Sequence, residues 1–188
     1  VEFRRKITGV LLGAAALTTA IAGSGVAVAQ AAPSPTSQVT PFATVFNPIV
    51  NFGDRTKCMS APTPAVNTAV IEARCDGSDA QSWEVKSFGT NIWQFLNKNG
   101  TGFCLFAFSP PPRNGAPMGL NNCRTVSNEE FNTHTSSTGF VSLESRTGFT
   151  NTGFCVDVPG GATAPYGEQL ELFQCNGSQS QSWHVVFP

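Results

Sequence analysis

The sequence predicts an all-β protein built from one unit written three times, and three observations carry that prediction. The block Cys75-Asp76-Gly77-Ser78-Asp79-Ala80-Gln81-Ser82-Trp83 returns as Cys175-Asn176-Gly177-Ser178-Gln179-Ser180-Gln181-Ser182-Trp183, and a degenerate copy runs from Cys123 to Glu129-Glu130-Phe131. In each copy an aromatic stands eight residues after the cysteine, and an earlier cysteine precedes it by 17, 19 or 20 residues. Apolar residues before these cysteines alternate with a period of two, the spacing of a half-buried strand rather than of a helix. Turn formers at Asn99-Gly100, Pro110-Pro111-Pro112 and Gly160-Gly161 cut the runs into short pieces. The motif aromatic recurs after 48 and then 52 residues, a regular period that marks a repeat architecture.

The elements follow in chain order. Arg4, Arg5 and Lys6 form a positive head, residues 7–28 an apolar stretch rich in Ala, and Ala29-Gln30-Ala31 a run of small residues of the kind a signal peptidase reads. This is the layout of a secretory signal over residues 1–31, cleaved after Ala29 or Ala31, and the Ala-x-Ala site argues against an uncleaved membrane anchor. A first residue of Val, read literally as a non-ATG start, points to a bacterial gene. Residues 32–45, which open with Ala32-Pro33-Ser34-Pro35, form a short linker. Residues 46–188 form one folded domain, with repeats at about 46–87, 92–135 and 139–188. Loss of the leader removes three Lys/Arg and one Glu, taking the net charge from -1 to -3. A mildly acidic chain supplies no field for nucleic acid. In an exported chain the six cysteines read as a disulfide framework, although counting alone leaves every pairing open.

Inward positions follow from the alternation. Five and three residues before the second cysteine of each unit stand Val70 and Glu72, Met118 and Leu120, and Leu170 and Leu172. Val85 and Val185 take the next inward position after Trp83 and Trp183. Glu72 is the one charged residue in this phase, and nothing in the sequence accounts for it.

Three units of this size, each with about four short strands, resemble the β-trefoil of the ricin B-type lectins. The resemblance is carried by Gln81-Ser82-Trp83 and Gln181-Ser182-Trp183, together with Cys155-Val156-Asp157-Val158 and Leu170-Glu171-Leu172-Phe173-Gln174-Cys175, and spans Phe46 to Phe187. In such a fold Trp83, Phe131 and Trp183 meet near a pseudo-threefold axis, each burying on the order of 150–250 Å2. Gln81 and Gln181 bond to neighbouring backbone, which suits a group that is both donor and acceptor. The repetition then pairs Cys58 with Cys75, Cys104 with Cys123 and Cys155 with Cys175, each loop worth roughly 3 kcal/mol in the chain-entropy account.

The same resemblance implies a secreted lectin that binds galactose-type or other pyranoses without catalysis. In that family an Asp just after the first cysteine accepts hydrogen bonds from sugar hydroxyls. An aromatic two residues before the second cysteine stacks on the pyranose face, and an amide near the Gln-x-Trp motif adds further bonds. The third repeat matches at Asp157 and Phe173, and the expected contact set is Asp157, Gly160, Glu171, Phe173, Ser180 and Gln181. It departs from the pattern where Glu171 stands for Gln, Ser180 for Asn and Phe173 for Trp. The competing reading has Asp157 closing an Asx-turn and Phe173 packing under the Pro159-Gly160-Gly161 loop. The first repeat carries Ser60 and Ala73 at the two key positions and the second Phe106 and Asn121, so both read as structural. If exposed, Phe106 and Phe108 would form an apolar patch for another protein. The alternative function is therefore a protein-contact module, an inhibitor or an adaptor for a separate enzyme or toxin.

Catalytic patterns are missing from the sequence. It has no G-x-S-x-G, H-E-x-x-H or phosphate loop. His184 is expected to face solvent and His134 to sit in a Thr/Ser-rich turn. Glu129 and Glu130, adjacent on an expected strand, would point to opposite faces, which does not suit a paired-carboxylate glycosidase. Neither cofactor nor metal is expected.

Overall fold

The computed structural model describes residues 44–148 and 150–188. The expected signal peptide, and the linker up to residue 43, lie outside the described residues. A lead-in strand β1 (Asn47–Pro48) precedes three sets of four. The first repeat supplies β2 (Val50–Asn51), β3 (Lys57–Ser60), β4 (Ile71–Arg74) and β5 (Ser82–Gly89). The second supplies β6 (Ile92–Asn97), β7 (Phe103–Ala107), β8 (Ala116–Asn122) and β9 (Phe131–Thr135). The third supplies β10 (Val141–Thr147), β11 (Thr150–Asp157), β12 (Glu171–Gln174) and β13 (Trp183–His184).

The register repeats residue for residue at the joints. Trp83 pairs with Asn97, Phe131 with Ser145 and Trp183 with Asn51, so the last strand of each repeat pairs with the first strand of the next and the third closes on the first. Closure leaves these strands no open edge. Alternation does what the sequence requires of it: Trp83, Phe131 and Trp183 join Val70, Met118, Leu120, Leu170 and Leu172 in one buried core, with Val85 and Val185 packed against it. Each buried indole N–H finds a carbonyl, Trp83 Nε1 donating to Met59 at 3.0 Å and Trp183 Nε1 to Val156 at 3.1 Å. All three within-repeat disulfides are formed.

Each motif begins on a single 3-10 turn whose last residue, Gln81, Glu129 or Gln181, is aimed inward. Gln81 Oε1 accepts the Asp76 N–H at 2.8 Å while its Nε2 donates to the Arg74 carbonyl at 2.7 Å. Gln181 repeats this with Asn176 and Gln174 at 2.9 and 3.0 Å. The second copy corrects the expected placement of its acids. Glu129 is not on a strand; it ends the 3-10 turn Ser127–Glu129 and is fully buried in the Gln position, while Glu130 reaches Arg146 at 3.7 Å. Glu129 Oε2 accepts the Arg124 N–H at 2.6 Å and Gln94 Nε2 at 3.2 Å, but its Oε1, 3.7 Å from Arg124 Nε, has no hydrogen bond from the described residues. By the threefold correspondence that oxygen takes the place of an amide nitrogen that donates to a carbonyl in the other copies.

Burial pushes the Glu129 carboxyl above its ordinary range, against the opposing pull of Arg124 and Gln94. A carboxyl raised in the folded state contributes stability below its unfolded value and loses it as pH rises through the folded one. Glu129→Gln restores the missing donor and is expected to stabilise the domain at pH 7 by about 1–3 kcal/mol. Melting curves of both proteins between pH 4 and pH 8 test this. The gap should widen with rising pH, and a gap that narrows would contradict the assignment.

A second imperfection of the repeat opens a cavity. Asn97 and Asn51 donate their side-chain amides to the carbonyls of Ala80 and Ser180 at 3.0 and 3.5 Å. Ser145 occupies the third such position and is too short. Its buried Oγ has no partner among the described residues, and a cavity of about 240 Å3 lies beside it, bordered by Asn128, Pro110 and Pro112.

Candidate functional site

Strands β11 and β12 pair so that Asp157 lies opposite Glu171 and Cys155 opposite Phe173. Directly paired residues share a face, so Asp157, Glu171 and Phe173 stand together on the side away from Val156 and Leu172. The result is a shelf with one aromatic ring and two carboxylates. Phe173 is 36% exposed, whereas Asp157 is only 7% exposed. Asp157 Oδ1 is buried without any hydrogen bond from the described residues. Asp157 Oδ1 thus receives no turn N–H from the described residues, and part of the Phe173 ring is open to solvent. Burial raises the Glu171 carboxyl above its ordinary range, and the facing Asp157 charge raises it further.

The loop after Asp157 frames the shelf. Gly160 and Gly161 adopt φ of 79° and 92°, a left-handed conformation that side chains disfavour, and the Gly161 N–H closes the turn on the Val158 carbonyl at 3.0 Å. The first repeat holds this loop in place. Lys57 Nζ donates to the carbonyl of Ala162 at 2.9 Å and to that of Ala164, and is paired with Glu72 at 3.0 Å. This explains the charged inward residue: Glu72 is fully buried as the counter-ion of an almost fully buried lysine. Burial raises its carboxyl, with Lys57 pulling the other way. Tyr166, further along the loop, meets Thr56 Oγ1 through its hydroxyl at 3.0 Å.

The remaining expected contacts fall elsewhere. Gln181 is fully buried, with its amide oxygen and nitrogen engaged by the backbone of Asn176 and Gln174; it is a strut beneath the repeat. Ser180 is also buried, its hydroxyl 2.8 Å from that of Ser178. Sequence reasoning missed the border supplied by the second repeat. Asn114 Oδ1 accepts the Gln174 N–H at 2.8 Å, and Gly115 lies beside the Glu171 carboxylate. No local signal marks these residues, because they reach the shelf only through the pairing of β8 with β12.

The equivalent shelves in the other repeats differ physically. In the second, Phe106 and Gly119 take the positions of Asp157 and Glu171, and the ring of Phe108 lies on Gly119 so closely that a Cβ there would sit 2.2 Å from it. Phe106 and Phe108 meet edge to face at 5.3 Å, and Phe106 is buried. The chain thus fills this shelf with its own ring, and Phe106 and Phe108, buried and half-buried, do not form the exposed patch considered from sequence. In the first repeat Ser60 faces Ile71, with no carboxylate at either position.

His184 faces solvent as expected, but His134 is on strand β9, not in a turn, and its Nε2 lies 2.5 Å from Glu144 Oε2. A cavity of about 580 Å3 lies away from the shelf, among residues such as Val45, Glu84 and Phe187. Its lining is largely apolar, with Thr44, Asn47 and Glu84 as the polar side chains.

No protein-family model matches the chain, and no curated protein matches it in sequence. Solved structures do. The designed threefold-symmetric protein ThreeFoil is 18% identical with a TM-score of 0.68, covering 76% of this chain and 99% of its own. The Macrolepiota procera ricin B-like lectin, solved in complex with lactose, is 16% identical with a TM-score of 0.60, covering 79% and 99%. The Haemophilus ducreyi cytolethal distending toxin is 18% identical with a TM-score of 0.60, covering 83% and 92%. At these identities the likeness is one of fold, and the threefold pairing, the shared core and these neighbours together make the chain a β-trefoil with ricin B-like lectins among its structural relatives.

Proposed function

We propose that the protein is a secreted, non-catalytic lectin that binds a pyranose on the third-repeat shelf. One observation carries this reading: Asp157 Oδ1, buried and without a partner, stands beside an exposed aromatic ring. An unbonded buried acceptor is costly, and a sugar hydroxyl supplies the missing donor. Phe173 offers an apolar face to the C–H side of the ring, and Glu171 opposite Asp157 accepts or donates a further hydrogen bond according to its protonation. Lactose on a trefoil of the same fold supports a galactose-type ligand. Three disulfides suit an oxidising compartment. The second shelf, filled by Phe108, takes no part, so binding is monovalent and effective on clustered glycans.

A glycan array, followed by titration of the best hit, tests the proposal. Asp157→Ala should abolish binding and leave the melting temperature unchanged or slightly raised, because it removes an unsatisfied buried oxygen. Phe173→Ala should weaken binding by ~1 kcal/mol through lost stacking area. Ser60→Ala in the first repeat should change nothing. Full binding by Asp157→Ala removes the shelf as the site, and an array without any hit removes the lectin reading.

A further inference from the structure

We propose that a second site, built on Arg55, Phe140 and His184, takes the carboxylate of a ring-borne organic acid. This goes beyond the third-repeat shelf and does not depend on it. The fold brings the three residues together from distant stretches: Arg55 from the turn after β2, Phe140 from the turn before β10, and His184 from β13. Phe52 and Phe140 meet with ring centroids 3.8 Å apart, and the Arg55 guanidinium carbon lies over both rings, 5.9 and 5.4 Å from their centroids. The His184 ring stands edge-on to Phe140 at 6.2 Å. Val50, Asn51, Arg55, Phe140 and His184 line a cavity of about 150 Å3. That space holds a carboxylate and the ring edge bearing it, not a whole ligand.

Charge and shape coincide at this place. Among the described residues Lys57, Lys86, Lys98, Arg124 and Arg146 are each paired with a carboxylate, whereas Arg55, Arg74 and Arg113 are not, and Arg55 also lines the cavity just described. Its sequence neighbour Asp54 does not neutralise it. The Asp54 carboxylate accepts the N–H and hydroxyl of Thr56 at 3.0 and 2.7 Å, which hold its carboxyl below the ordinary range together with the charges of Lys57 and Arg74. The floor of the cavity is neutral, since the Asn51 side-chain oxygen accepts the N–H groups of Gly53 and Asp54. A guanidinium anchored over aromatic rings keeps a fork of N–H donors that matches the two oxygens of a carboxylate. His184 adds a ring N–H, and Phe140 an apolar face for the ligand's ring.

Titration calorimetry on the full chain tests this, with sodium glucuronate, its methyl ester and sodium benzoate as probes. Both acids should bind, and the ester about tenfold more weakly than glucuronate, because it has lost the charge that the guanidinium reads. Binding of glucuronate alone would support the site with a sugar acid as the carrier, and binding of both acids would support it for any ring-borne carboxylate. Arg55→Gln should lose about tenfold for the acids and melt like the wild type, since Arg55 is exposed. Arg55→Lys should fall between, keeping charge without the fork, and His184→Ala should weaken binding independently. Asp157→Ala should bind the acids as the wild type does, which separates failure here from failure of the shelf. Equal binding of acid and ester, unchanged binding by Arg55→Gln, loss on Asp157→Ala with Arg55→Gln unaffected, or binding of neither acid would overturn the proposal.

Discussion

Trp183→Ala is expected to lower stability by ~3–5 kcal/mol, the cost of removing a large aromatic from a packed interior. Trp183 is fully buried in the common core, so the emptied volume is lined by residues of several repeats and cannot be refilled by a local shift. The indole also supplies the hydrogen bond to the Val156 carbonyl, which the alanine variant leaves buried and unsatisfied. For a domain of this size the melting temperature should fall by roughly 10–15 °C. Trp183→Phe separates the two contributions. It keeps most of the volume and loses the N–H, and should cost about 1–2 kcal/mol. Phe131 already occupies the same register position with no N–H, so the fold tolerates that loss once. Wild-type melting of Trp183→Ala would mean that the three repeats do not share one core.

The second large effect concerns Lys57 and Glu72. Removing one partner from a buried ion pair costs about 3–5 kcal/mol, because the other charge is left without compensation. Glu72→Ala should show this in full at pH 7, since Lys57 then keeps two loop carbonyls and the face of Tyr166 but no counter-charge. Lys57→Met should behave differently. The Glu72 carboxyl is already raised by burial and rises further without the lysine. Stability of that variant should therefore be nearly intact where Glu72 is protonated and be lost as pH rises through its folded value. The double replacement Lys57→Met, Glu72→Leu should recover most of the stability of the single variants, as apolar substitutes for buried pairs do. It should still weaken glycan binding on the shelf, because the loop containing Gly160 has lost its anchor. Urea titrations at two pH values, with binding measured on the same proteins, check each arm. Recovery of both stability and binding in the double variant would show that the pair does not position the loop.

The repeat, the strand alternation and the cysteine pairing were legible in the sequence because each is a local pattern copied three times, and copying exposes register. The repeat and the fold it resembles placed Trp83, Phe131 and Trp183 in the core, and the period of two put Glu171 and Phe173 on the face opposite Leu170 and Leu172. Where a copy departs from its siblings, local pattern gave a wrong or empty answer. Glu129 was read as a strand residue, yet it fills a glutamine's place inside a 3-10 turn, because position in the repeat outweighs the residue's own charge. Gln181 was read both as bonded to backbone and as a sugar contact, and its amide is fully taken by the backbone of Asn176 and Gln174.

Tertiary structure alone decided the questions that depend on contacts between repeats. Glu72 had no reason to be inward until the third-repeat loop crossed the first repeat and buried Lys57, on the strand next to Glu72, beneath its carbonyls. Asn114 could not be placed beside the third-repeat shelf without the pairing of β8 with β12, strands of different repeats. The same holds for Arg55, Phe140 and His184, which share no motif. The physical reason is that alternation reports which side of its own strand a residue occupies. The neighbour it meets there is set by closure of the sheet on itself, and closure depends on all three repeats at once.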